Sequence, residues 1–132
     1  MNRILLASAL FALGTTVALA DGDPTKGATV FKKCMACHAI GEGAKNKVGP
    51  ELNGIVGRKM GAVPDFAYSD TLKEHNAKGD VWTADILTQY LANPKGFMPG
   101  VKMVFAGIPK DTDRADLIAF LGQYDETGAK KP

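Results

Sequence analysis

Soft metal ligands are scarce in this sequence: two cysteines and two histidines among 132 residues. That excludes a scaffold stapled by several disulfides. Charge of one sign is also lacking, since the formal balance is only +2, too small to argue for nucleic acid as a partner. There is no internal repeat, no low-complexity tract and little of the strict apolar/polar alternation that marks a strand. After the first twenty residues no apolar run is long enough for a bilayer. The length suits one domain with its own core and is too short for two.

Residues 1–20 differ from the rest. Arg3 supplies a positive start, Ile4 to Val17 is almost unbroken apolar or small sequence, and Ala18-Leu19-Ala20 offers a small-x-small cleavage site. The run falls short of the ~20 residues a spanning helix needs, and no basic stop-transfer cluster follows it. The pattern predicts a secretory signal peptide cleaved after Ala20, leaving residues 21–132 as one soluble domain in the periplasm. Removing Arg3 lowers the formal charge from +2 to +1.

What remains reads as short helices separated by Gly/Pro loops. Asp23-Pro24 predicts a helix start, with the carboxylate accepting from free amides and proline at the first helical position. Thr25 to Lys33 then sets Val30 and Phe31 against Lys26, Lys32 and Lys33. Residues 46–61 hold four glycines and predict turns. Ser69 and Thr83 cap two further helices, the first ending near Gly79 and the second stopped by Asn93-Pro94. Residues 94–110, rich in Gly and Pro, predict an extended loop. A last helix begins near Asp111 or Thr112, with Leu117, Ile118, Leu121 and Tyr124 as its stripe. Residues 127–132 predict a frayed tail. The fold class is all-α, yet helices this short do not fill the middle by packing on each other, which points to a buried cofactor.

Both cysteines fall in Cys34-Met35-Ala36-Cys37-His38, the C-x-x-C-H pattern of covalent haem c attachment. On a helical turn, positions three apart face the same way, so both thiols reach the vinyl groups on one macrocycle edge. His38, next in line, is carried over the ring to offer a nitrogen to iron. A thioredoxin-like dithiol would need a strand before the motif and a β-α-β frame, and neither is present. Zinc would need more soft ligands than two thiolates and one imidazole; His75, the other histidine, predicts a solvated side chain on an exposed helix.

The sixth iron position decides between a carrier and a binder of peroxide or gases. A thioether there favours the ferrous state. Met35 is locked between the cysteines, and Met60 predicts packing or surface. Met98 and Met103 flank Pro99-Gly100 in the long loop, and loop chemistry alone leaves both open.

From Lys26 to about Tyr124 the chain resembles the class I cytochromes c, and is especially similar to the bacterial cytochrome c-two group, close to the mitochondrial protein. The resemblance rests on Cys34 to His38, Lys47-Val48-Gly49-Pro50-Glu51-Leu52, Gly57-Arg58-Lys59, Asn93-Pro94-Lys95 and, most diagnostic, residues 99–108, Pro99 to Ile108. It implies the small cytochrome c fold, with short helices and long loops wrapped around one covalent haem.

It also implies Met103 as the sixth ligand, with Met98 in the loop wall and the Pro50 carbonyl accepting from the ligand His38. Tyr68 and Trp82 would hydrogen-bond a buried propionate and Arg58 would offset its charge. Tyr90 and Phe105 would line the methionine side. Gly27 and Phe31 would pack against Leu117 and Phe120. Two departures stand out: Val101 replaces a frequent threonine near the haem, and residues 70–80 run slightly longer than in mitochondrial relatives, with Asn76 as candidate for the family asparagine near the methionine.

The resemblance implies a monomeric electron carrier, not an enzyme, passing single electrons between membrane redox complexes. Its donor would be a cytochrome bc-type complex and its acceptor a terminal oxidase or photosynthetic reaction centre, in respiration or photosynthesis. Lys33, Lys47, Lys95, Lys102 and Lys110 resemble the lysines that ring the haem edge and steer the carrier to acidic partners. The competing function is a haem protein with a labile sixth ligand, acting as a peroxidase or gas binder.

Overall fold

Four of the five described helices begin at a residue whose side chain caps them; the last starts at Lys110 without such a bond. In the computed structural model, which describes residues 22–132, the order is α1 (Pro24–Phe31), α2 (Asp70–Lys78), α3 (Ala84–Ala92), α4 (Pro94–Phe97) and α5 (Asp111–Leu121). The signal-peptide reading lies outside the described residues. Asp23 accepts from the amides of Thr25 and Lys26 at 2.8 and 3.3 Å. Ser69 and Thr83 cap α2 and α3 through the amides of Leu72 and Ile86, both at 3.2 Å. Gly79 ends α2 in the left-handed conformation at φ 80°, which a glycine adopts without steric cost.

Among the described residues there are no strands, only isolated bridges pairing Lys59 with Val81 and Tyr124 with Lys130. No described helix is long and apolar enough to cross a membrane.

The frame is the crossing of α1 on α5. A Cβ on Gly27 would collide with the Asp116 carbonyl and lie 2.7 Å from Phe120 Cβ, so only glycine permits this approach. Phe31 and Phe120 then meet with ring centroids 5.1 Å apart, and Leu117 is 1% exposed beneath them. The α3 helix leans on α5, presenting Leu87, Tyr90 and Leu91 to the core.

Three expectations are corrected. Residues 94–97 are not loop: Asn93 both stops α3 and caps α4, its side-chain oxygen accepting from Gly96 N at 3.1 Å. Pro94 at the first position suits this second start. The tail is not frayed, because Asp125 accepts from Thr127 and Ala129 amides, and Lys131 N donates to the Gln123 carbonyl at 2.7 Å. Tyr124 follows α5 rather than belonging to it, packing on Phe120 at 5.5 Å between ring centroids.

Candidate functional site

The chain leaves α1 in tight turns that set up the motif. Cys34 N donates to the Phe31 carbonyl at 2.8 Å, and His38 N donates to the Cys34 carbonyl at 2.9 Å, a helical span. Cys34, Cys37 and His38 therefore face one cavity of about 530 Å³, within the range of about 300–1,000 Å³ typical of ligand and cofactor sites. Neither cysteine is bridged in a disulfide. Burial pushes the Cys34 thiol up, against the lowering pull of Lys33.

His38 is fixed from behind. Its Nδ1 donates to the Pro50 carbonyl at 2.7 Å, which leaves Nε2 as the acceptor nitrogen, the form a metal needs. Burial holds its pKa below the ordinary value; the Pro50 bond opposes that shift, while Arg58 and Lys47 add to it. Gly49 makes room for the ring: a Cβ there would come within 2.8 Å of both imidazole nitrogens. Gly49 N in turn donates to the Cys37 carbonyl at 2.8 Å, tying this loop to the motif.

Met103 reaches the same cavity from the loop after α4. That loop is held along its length. Thr71 Oγ1 donates to the Pro99 carbonyl at 2.9 Å, Lys102 Nζ to Ala67 O at 3.3 Å, and Ile108 N to Leu91 O at 2.8 Å. Arg114, buried in α5, donates to the carbonyls of Ile108 and Pro109 and pairs with Asp111. Tyr90 Oη lies 3.9 Å from Met103 Sδ, and burial pushes the Tyr90 phenol up to about 12.

The remaining wall is apolar with few polar groups. Trp82 packs on Tyr90 at 4.9 Å between ring centroids, and Phe105 lines the cavity beside Met103. Tyr68 Oη accepts from Val63 N at 3.0 Å, and burial raises its pKa. Arg58 is the buried cation here. Its Nη1 donates to the Glu51 and Asn53 carbonyls, both at 3.0 Å, and faces Glu51 Oε1 at 3.4 Å. Its Nε is buried with no partner. Burial lowers its pKa, and Glu51 is the largest influence raising it again.

Several expected residues stand elsewhere. Met98 is not in this wall; it is 4% exposed and packs with Met60, Ile86 and Phe97 around a second, shallower cavity. Asn76 is also away from the methionine, since its amide donates to the Met60 carbonyl at 2.8 Å. His75 is not simply solvated: its Nδ1 pairs with Asp80 Oδ2 at 2.6 Å. Of the five lysines, Lys33 and Lys102 border the cavity, and Lys47 Nζ donates at 2.7 Å to Met35 O, between the cysteines. Lys95 and Lys110 lie outside the wall, on α4 and at the start of α5.

Phe66, Leu72 and exposed Val48 and Val104 also line the cavity. They sit in loops or on a polar helix, without periodic spacing to mark them. Glu51 stands behind Arg58 rather than in the cavity lining, and no spacing in the sequence marks it.

The donor set fits a haem: two cysteine sulfurs outside any disulfide for covalent links, an oriented imidazole, a thioether, and an apolar wall with one buried cation to face a carboxylate. Comparison with known proteins agrees. The Cytochrome c family model matches residues 24–125. Cytochrome c-550 of Ancylobacter novellus is 74% identical over 107 residues, covering 81% of this chain and all of that one. Cytochrome c2 of Blastochloris viridis is 46% identical over 127 residues, covering 96% and 98%. The solved cytochrome c2 of Rhodospirillum centenum superposes with a TM-score of 0.74 at 39% identity, covering 79% of this chain and 99% of that one. The chain belongs to the cytochrome c family, and is an electron carrier that binds haem c covalently through Cys34 and Cys37.

Proposed function

We propose that the protein works in the periplasm as a monomeric carrier whose iron is held between His38 and Met103. The observation that carries this reading is that both thiols, the His38 imidazole and the Met103 thioether border one apolar cavity. The haem, when attached, supplies a one-electron couple with little reorganisation at a buried metal. His38 offers Nε2 because Nδ1 is committed to the Pro50 carbonyl, a bond that also raises its donor strength. Tyr90 directs its hydroxyl at the Met103 sulfur, and the pinned loop keeps that sulfur in place. Arg58, Tyr68 and Trp82 supply the polar end that receives a propionate, with Phe105 closing the apolar side.

Lys33, Lys47 and Lys102 cluster about the cavity mouth and the motif, with Lys95 and Lys110 farther out. This arrangement favours fast, salt-sensitive encounters with acidic docking faces. The partners are a cytochrome bc-type complex as donor and a terminal oxidase or photosynthetic reaction centre as acceptor, reached after cleavage behind Ala20.

The test is the visible spectrum of the purified protein, matured in a host able to attach haem. The ferric form at neutral pH should show the weak long-wavelength band of sulfur-ligated haem. Its absence would favour the labile sixth site of a peroxidase or gas binder.

A further inference from the structure

Arg58 is the buried cation of the cavity wall, 8% exposed, whereas Lys33 and Lys102 at the mouth are exposed. All three of its acceptors crowd one corner of the guanidinium, Nη1, and Glu51 supplies two of them. The Glu51 carboxylate is itself only 20% exposed and firmly tethered. Its Oε2 accepts from Asn53 N at 2.6 Å, and its backbone N donates to Asn46 Oδ1 at 2.9 Å. A fixed negative charge thus sits against the cation that faces the haem cavity.

We propose that Glu51 is a positioning residue for Arg58 and, by partly cancelling its charge, sets the reduction potential of the haem downward. Reduction adds one negative charge to the cofactor, so neighbouring positive charge favours the reduced form and neighbouring negative charge opposes it. Both side chains are shielded from solvent, so salt and water screen them less than the surface lysines. Glu51 acts in opposition to Arg58 and remains part of the structure that orients it.

The inference rests on haem occupying this cavity with Arg58 in its wall. It is tested by redox titration of the full haem-loaded protein carrying Glu51→Gln or Glu51→Asp. Glutamine keeps an oxygen for the Asn53 amide and removes the charge together with the acceptor facing Arg58 Nη1, which retains the Glu51 and Asn53 carbonyls. Glu51→Gln should raise the midpoint, seen as at least about a threefold rise in the reduced-to-oxidised ratio at fixed ambient potential. Glu51→Asp should stay close to wild type.

An unchanged or lowered midpoint in Glu51→Gln with the spectrum intact overturns the proposal, as does an equal rise in Glu51→Asp. If Glu51→Gln does not assemble, Glu51→Asn against Glu51→Asp makes the same comparison at shorter length. Loss of the sulfur band in the unmutated protein would instead count against the proposed ligands, so the two failures are distinguishable.

Discussion

The hydroxyl of Tyr90 stands 3.9 Å from the sulfur of Met103, while Met98, five residues earlier in the chain, is turned away into a different cavity. The two methionines flank the same Pro-Gly turn, but only Met103 shares a wall with His38.

Met103→Ala should keep the covalent haem, lose the long-wavelength band and lower the midpoint sharply. Met98→Ala should leave band and midpoint in place and cost about 2–5 kcal/mol of stability, as expected for a buried methionine replaced by alanine. Spectra, redox titration and denaturant unfolding of the two variants check this. A midpoint that responds to Met98 instead would move the ligand role.

The Tyr90 phenol ordinarily ionises near 10 and is pushed up to about 12 by burial. The unfolded chain therefore loses its proton first as pH rises. The stability from keeping this phenol neutral is whole below pH 10 and drains away up to about 12. Its size is on the order of 2–3 kcal/mol. Tyr90→Phe should be correspondingly less sensitive to pH over that window, measured by chemical denaturation at each pH.

Gly27→Val should strike at the frame. The added Cβ meets the Asp116 carbonyl and Phe120 at the α1–α5 crossing. Overpacking of this kind costs about 1–3 kcal/mol or more, a fall in melting temperature of roughly 5–20 °C. Thermal unfolding followed by circular dichroism reads it directly.

Lys33→Glu with Lys102→Glu should slow electron transfer to an acidic partner at low ionic strength, with the midpoint little changed. The defect should shrink toward high salt, where exposed charges are screened. Stopped-flow kinetics across a salt series would show this, and rates indifferent to salt would remove the steering role.

Local chemistry made much of this legible from sequence. Asp23, Ser69 and Thr83 announced their helices because a cap is a property of a few adjacent residues. The attachment motif was legible for the same reason. Met103 was harder: composition placed two methionines beside one turn, and only resemblance chose between them. The α4 turn was hidden because its four residues include a proline and a glycine, which read as loop although Asn93 caps them. The order of the tail was hidden too, since it depends on Asp125 folding back on amides that follow it. Asn76 was misplaced because its partner, the Met60 carbonyl, comes from tertiary packing that carries no sequence period, whereas His75 stands on the exposed α2 as expected, with Asp80 as an added partner.

The crossing at Gly27 also bears on the order of events in biogenesis. The surface that α1 needs is supplied by Asp116, Leu117 and Phe120, near the opposite end of the polypeptide. Synthesis from the amino terminus exposes Cys34 to His38 well before that surface arrives. During this interval both sulfurs lie outside any finished core, because α1 has as yet no α5 to close on.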